Sequence, residues 1–151
     1  MDDVSKLNFI DIYNSKKPQI IQKELIADTE TPISSLIKLS ANERYSFLLE
    51  SVEGGDQRGR FSLLGCDPDI IWEVKDSAVM IKSLDKNLNL NFLSKEPIKS
   101  LKQLIDFSKI YRELNNPPFP TLVGYFGYPM IQLMEKINLQ NPDEINIPDA
   151  I

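Results

Sequence analysis

Between Tyr45 and Phe92 the chain is a succession of short apolar runs, each cut off by glycine or by polar or charged residues before it reaches helical length. Short runs so closely spaced favour strands that pair with their neighbours in sequence. Tyr45 to Leu49 opens the series and continues into Glu50, Ser51 and Val52; without a helix start signal it reads as a largely buried strand with a polar pair at its end. Gly54, Gly55, Asp56 and Gly59 mark a loop, and Arg60 to Gly65 reads as the returning strand of a hairpin. Ile70 to Val74, Ala78 to Ile81 and Leu88 to Phe92 complete the expected meander, the last with clean period-2 alternation and so one wet face.

The flanks carry different signals. Ile20 to Ile26 reads as a further strand, followed by a helix from Thr31 to about Ser40–Asn42, with Thr31 as N-cap, Pro32 at its first position and Ile33, Leu36 and Ile37 at helical spacing. From Pro97 the period changes again: Ile98, Leu101, Leu104, Ile105, Ser108 and Tyr111 or Arg112 share one face of an amphipathic helix. Asn115 to Pro120 is a stiff loop, Thr121 to Tyr128 a strand, and Pro129 the start of a helix carrying Ile131, Leu133 and Met134. Ile145 to Ile151 is extended and stops in mid-architecture. The expected class is α+β, a mostly antiparallel β-sheet with flanking helices; residues 1–19 form a lead-in, and residues 20–151 form one unit without repeats or a flexible linker.

Composition narrows the chemistry. A chain with 42% hydrophobic and 26% charged residues is of globular type, and a net charge of −5 argues against nucleic acid or an anionic membrane as partner. With no histidine, imidazole catalysis, imidazole metal ligation and a histidine switch are excluded. Cys66 is the sole cysteine, which rules out an internal disulfide and argues against a zinc site from these residues. With neither a secretory pattern at the start nor a membrane-length apolar run, the expected location is the cytoplasm. Trp72 reads as a core or sheet-surface residue.

Two constellations bear on function. Gly54 to Gly59 has the glycine spacing of a phosphate loop but lacks the Lys and Ser/Thr, and a strand follows where that loop needs a helix N-terminus, so these are turn glycines. Glu50 and Ser51, followed by Arg60, put an acid, a hydroxyl and a guanidinium around one strand–loop–strand junction. Such groups suit a zwitterion, with the guanidinium gripping a carboxylate while Leu49 and Phe61 flank an apolar side chain. The same residues also fit a plain cross-strand Glu50–Arg60 pair with Ser51 in a turn.

Phe47-Leu48-Leu49-Glu50-Ser51-Val52-Glu53-Gly54-Gly55, running into Gly59-Arg60-Phe61-Ser62-Leu63-Leu64-Gly65, resembles the signature of anthranilate synthase component I. Asp28 to Leu39, Val123 to Tyr128 and Ile147 to Ala150 resemble further segments of that family. The resemblance implies the N-terminal part of a larger two-lobed enzyme, truncated before its chorismate-binding catalytic domain. It implies an L-tryptophan feedback site at Leu49, Glu50, Ser51 and Arg60, with Tyr125, Phe126 and Gly127 near the same regulatory region or, alternatively, in a buried core strand. In that family chorismate and ammonia become anthranilate and pyruvate, Mg²⁺ is held by carboxylates of the later half, and a glutamine amidotransferase subunit, component II, supplies the ammonia. No catalytic or metal-binding residue transfers to this chain, which is expected to be inactive alone and able to self-associate. Pro129 and Gln132 stand where the family commonly has Asp and Arg. Aminodeoxychorismate synthase component I, on the folate branch, and a stand-alone amino-acid-binding module are the competing readings.

Overall fold

A computed structural model describes residues 3–15, 20–21, 23–41, 44–52, 58–86, 88–110, 122–139 and 143–151. The architecture is α+β, with two small two-stranded antiparallel sheets and a few helices. By contacts the chain divides into one unit of residues 1–24, 72–80 and 90–151 and another of residues 25–71 and 81–89.

The second unit is built on α2 (Pro32–Ser40), β1 (Ser46–Val52) and β2 (Arg58–Cys66). The helix expected at Thr31 is present, and its start is explained by a complete capping box. The Ser34 amide donates to Thr31 Oγ1 at 3.1 Å and the Thr31 amide donates to Ser34 Oγ at 2.9 Å, satisfying donors that a helix N-terminus otherwise leaves open. Pro32 occupies the first turn, where a missing N–H costs nothing. Glu30 is paired with Lys38 and also accepts from the Ser34 hydroxyl at 2.8 Å, which holds its carboxyl below its ordinary pKa.

β1 and β2 pair antiparallel from Ser46 opposite Cys66 to Glu50 opposite Ser62. Helix α2 packs against this pair, and the Cys66 thiol faces the Leu39 carbonyl at 3.8 Å, so α2 lies on the face that alternation assigns to Leu48, Leu64 and Cys66. The other face carries Phe47, Leu49 and Leu63, with the Phe47 ring over Gly65; a Cβ at Gly65 would sit 2.5 Å from that ring. The expectation of a largely buried first strand is therefore overturned: Leu49 is 52% exposed, because α2 covers only one side of the ribbon. Gly59, expected in the loop, lies inside β2, whereas Gly54, Gly55 and Asp56 fall outside the described residues.

In the first unit α1 (Asp3–Asn14) runs through the expected lead-in, and Phe9 and Tyr13, one helical turn apart, stack with ring centroids 6.0 Å apart. β3 (Ile70–Lys75) and β4 (Ala78–Ser83), of which residues 72–75 and 78–80 belong to this unit, fall where their apolar runs predict. Asp76 and Ser77 join them at φ of 49° and 64°, both left-handed as a tight two-residue hairpin turn requires. β3 is followed on its other edge by the end of the chain: the Val74 amide donates to the Ala150 carbonyl at 2.9 Å and the Asp149 amide to the Val74 carbonyl at 2.7 Å. The Tyr125 amide in turn donates to Ile151 at 2.9 Å and the Gly127 amide to Asp149 at 2.7 Å, so residues 149–151 lie between Val74 and residues 125–127. Gly124 is where this approach is closest, since a Cβ there would lie 1.8 Å from the Ile151 carbonyl oxygen.

Helix α3 (Pro97–Phe107) confirms the period change, but its buried face is Pro97, Ser100 and Leu104. Ile98 and Leu101 are half-buried, Ile105 is exposed, Ser108 is the C-cap, and Tyr111 and Arg112 lie outside the described residues. Trp72 is buried as expected, and its indole Nε1–H donates to the Ser100 hydroxyl at 3.0 Å, which explains a serine at a fully buried helix position. Val74, Leu104, Met130 and Ala150 are the other deeply buried side chains of this unit.

Three expected strands do not form. Ile20, Ile21 and residues 23–27 are irregular and exposed, with no ladder partner among the described residues. Leu88 to Phe92 keeps its alternation in part, with Leu88 and Leu90 half-buried and Asn89 and Asn91 exposed, but bends into turns; the Leu93 amide donates to the Leu90 carbonyl at 3.0 Å. The meander is therefore two separate hairpins. Residues 122–127 make only an isolated bridge at Phe126, and Pro129 lies in a 3₁₀ helix, η1 (Tyr128–Leu133), whose buried residue is Met130. Thr121 and the loop of residues 115–120 lie outside the described residues.

Candidate functional site

β1 delivers Leu49, Glu50 and Ser51 in consecutive positions, and strand alternation sends Glu50 to the opposite face from its two neighbours. Glu50 lies across from Ser62 and Leu49 across from Leu63. Beyond Glu50 the register slips: the next pair is Val52 with Arg58, so Gly59, Arg60 and Phe61 of β2 together oppose the single residue Ser51. This is a β-bulge, a device that interrupts a ladder and re-aims the residues within it. The Ser51 hydroxyl bridges the interruption by donating to the Phe61 carbonyl at 3.0 Å.

The register places Ser62, not Arg60, directly opposite Glu50. Arg60 belongs to the bulge through its backbone; its side chain is not among those described. The structure thus brings Ser51 and the Arg60 segment together and places Glu50 on the neighbouring face. Chemically one face of the corner offers the Ser51 hydroxyl and the Phe61 carbonyl oxygen near the exposed apolar side chains of Leu49 and Phe61, and the Glu50 carboxylate belongs to the other face.

Tyr125, Phe126 and Gly127 lie in the first unit. Tyr125 donates its hydroxyl to the Pro148 carbonyl at 2.9 Å, Phe126 bridges Ala150, and Gly127 is held through its amide to Asp149. The alternative of a buried core strand is corrected here, since Tyr125 and Phe126 are both exposed and the segment forms no continuous ladder.

Two polar groupings of the first unit were not legible beforehand. Lys75, at the end of β3, pairs with Asp143 and donates to the Ile147 carbonyl at 2.8 Å; the pairing holds the Lys75 ammonium above, and the Asp143 carboxyl below, their ordinary pKa values. The other is the Trp72–Ser100 bond. Both join residues far apart in sequence, for which charge or hydroxyl content alone carries no signal. Among the described residues no three acidic or thiol side chains converge on a point that could hold a metal ion. Among the same residues no helix is long and apolar enough to cross a membrane.

No family model matches the chain. Individual relatives do. Over 136 residues it is 38% identical to an anthranilate synthase component 1 of Cereibacter sphaeroides, a match that takes in 88% of this chain and 27% of the relative. The corresponding protein of Synechocystis sp. is 34% identical over 149 residues, 95% of this chain and 27% of that one. Over most of its length the chain is similar to a part of anthranilate synthase component 1. The Pseudomonas aeruginosa member is 35% identical over 134 residues, 85% of this chain. The chain spans about a quarter of the length of these curated relatives. A match taking in 95% of the chain includes the central β1–β2 pair, so the Leu49–Arg60 corner lies within the part shared with the anthranilate synthase component 1 family.

Proposed function

We propose that this chain is the N-terminal, tryptophan-sensing part of anthranilate synthase component I, and that the β1–β2 corner of Leu49, Glu50, Ser51 and Arg60 is where L-tryptophan acts as feedback inhibitor. The observation that supports this reading is the facing of the Leu48–Glu50 and Ser62–Leu64 runs in one antiparallel pair, with the register slipping opposite Ser51. A bulge removes backbone groups from the ladder and leaves them to other partners, as recognition of an ammonium and a carboxylate requires. Tyr125, Phe126 and Gly127 are secondary members of the proposed regulatory region.

The complete protein then converts chorismate and ammonia to anthranilate and pyruvate in the cytoplasm, with ammonia delivered from glutamine by a component II subunit. Mg²⁺ and chorismate are assigned to the part of the relatives that this chain does not span, and the chain alone is assigned no turnover. Tryptophan would shift the complete enzyme between active and inactive arrangements through a coupling free energy between the two sites. The names of the relatives favour this branch over aminodeoxychorismate synthesis.

The test is tryptophan inhibition of the complete enzyme, with each variant referred to its own uninhibited rate. Arg60→Ala is expected to weaken inhibition by roughly ten- to a hundredfold, the equivalent of losing a charge-assisted hydrogen bond of about 1.5–3 kcal/mol. Inhibition by tryptophan that is unchanged in Arg60→Ala removes the guanidinium from the site, and a wild type indifferent to tryptophan removes the reading altogether.

A further inference from the structure

Residues 149–151 lie between two partners. The Val74 amide donates to the Ala150 carbonyl on one side, and on the other the Tyr125 and Gly127 amides donate to the Ile151 and Asp149 carbonyls. The Ile151 amide returns a bond to the Tyr125 carbonyl at 3.2 Å, and the Tyr125 hydroxyl donates to the Pro148 carbonyl. Among the described residues, every hydrogen bond that Tyr125 and Gly127 make beyond residues 122–135 therefore ends on residues 148–151. The seat is shaped by glycine. A Cβ would lie 1.8 Å from the Ile151 carbonyl oxygen at Gly124 and 3.0 Å from that of Asp149 at Gly127. Gly127 has a φ of −73°, open to any residue, so its missing side chain serves the approach of the two backbones and not a left-handed turn. The fastening lies on the other side, one residue beyond Val74. Lys75 pairs with Asp143 and donates to the Ile147 carbonyl, while Asp143 also accepts from the Ile145 and Asn146 amides at 3.2 and 2.9 Å. One β3 side chain thus ties down both ends of residues 143–147, just ahead of the three residues shared between Val74 and Tyr125–Gly127.

A segment of three residues makes too few ladder bonds to stay in place by itself, and short, exposed pairings open locally at little cost. We infer that residues 143–151 are a strap with Lys75 as its clasp, and that this one β3 ammonium controls the order of Tyr125–Gly127, which neither of its two bonds reaches. The coupling has a direction. Opening the clasp frees the strap from β3 and takes away the partner of Tyr125 and Gly127, whereas displacing residues 125–127 leaves the strap clasped at Lys75. The inference goes beyond the tryptophan reading and does not depend on any ligand.

The test is amide hydrogen exchange in the complete protein, read in peptides covering residues 72–75, 122–128 and 143–151, with α3 of the same unit as the reference for general stability. Lys75→Met is expected to raise exchange in all three peptides by roughly two- to fivefold, the size that loss of a partly screened ion pair gives, and to leave α3 as in the wild type. Asp143→Asn, which keeps an oxygen for the Ile145 and Asn146 amides, is expected to do the same. Gly124→Ala, which attacks the seat from its other side, is expected to raise exchange in residues 122–128 while the Val74 amide stays protected. Exchange in residues 122–128 that is unchanged in both Lys75→Met and Asp143→Asn overturns the clasp. Acceleration of α3 equal to that of residues 122–128 in those variants marks a general loss of stability and overturns the coupling. A Val74 amide released as far in Gly124→Ala as in Lys75→Met overturns its direction; if Gly124→Ala does not fold, the Lys75 and Asp143 variants still decide the clasp.

Discussion

Trp72 and Ser100 show how a single bond can decide what a buried position tolerates. Ser100 is fully buried on α3, where an apolar residue would ordinarily stand, and it is there because the buried indole N–H needs an acceptor. Ser100→Ala removes that acceptor while leaving the donor in place, and an unsatisfied buried donor costs about 1–3 kcal/mol. Denaturant unfolding monitored by far-UV circular dichroism should show the loss. The companion Trp72→Phe in the Ser100→Ala background should recover part of it, since both polar groups are then gone; equal stability of Ser100→Ala and wild type would show the bond to be energetically idle. Trp72 was legible in sequence as a core or sheet-surface residue, but its partner was not, because nothing local distinguishes a serine that faces an indole from one that faces water.

At the scale of elements, α2 and the β3 edge illustrate local and non-local control. α2 starts where Thr31, Pro32 and Ser34 say it should, because a capping box is completed within four residues of sequence. Thr31→Ala should cost about 1 kcal/mol, read as a lower unfolding midpoint, with Thr31→Ser close to wild type. The closure of residues 143–151 on β3 has a different origin, in Lys75 reaching Asp143 and the Ile147 carbonyl. Asp143 is held below its ordinary pKa, first by the Lys75 bond and then by the Asn146 amide, so its contribution is present above the unfolded carboxylate value and is lost as pH falls through the lowered one. Lys75 is held above its ordinary value by Asp143, so its contribution is complete below the unfolded ammonium value and is lost as pH rises through the raised one. Protection of the Asp149 and Ala150 amides, referred to their intrinsic exchange rates at each pH, should therefore be greatest between those limits and fall toward acid. Lys75→Met should flatten the acid branch; an acid branch as steep in Lys75→Met as in wild type would place the closure elsewhere.

For the whole molecule the deciding feature is the amount of apolar surface left uncovered. Leu49 and Phe61 on the β1–β2 ribbon, Ile33 and Ile37 on α2, and Phe126 and Tyr128 near η1 are all more than half exposed. Apolar side chains exposed in such number favour association, and a two-stranded ribbon has open edges on both sides. The chain is therefore expected to form dimers or larger species whose fraction rises with concentration, measured by light scattering. A constant monomer mass over a wide concentration range would remove that expectation. The net charge of −5 opposes association, so added salt, which screens it, should shift the distribution toward the larger species.

What the sequence determined by itself were the features whose cause lies within a few residues: the capped start of α2, the hairpin runs that became β1 to β4, and the change to helical period at Pro97. The same is true of the family, since the Leu48–Ser51 and Arg60–Leu64 runs carry the resemblance as strings. Tertiary structure decided the rest. Ile20 to Ile26 and Leu88 to Phe92 have the composition of strands but no partner among the described residues, and a strand exists only as half of a pair. The buried face of α3 moved from Ile98, Leu101 and Ile105 to Pro97, Ser100 and Leu104, sharing only Leu104 with the expected stripe, because the burial of a helix face is set by what packs against it. The register slip opposite Ser51 is likewise invisible in sequence, since the pairing of Val52 with Arg58 in place of Arg60 is a choice made between two strands and encoded in neither alone.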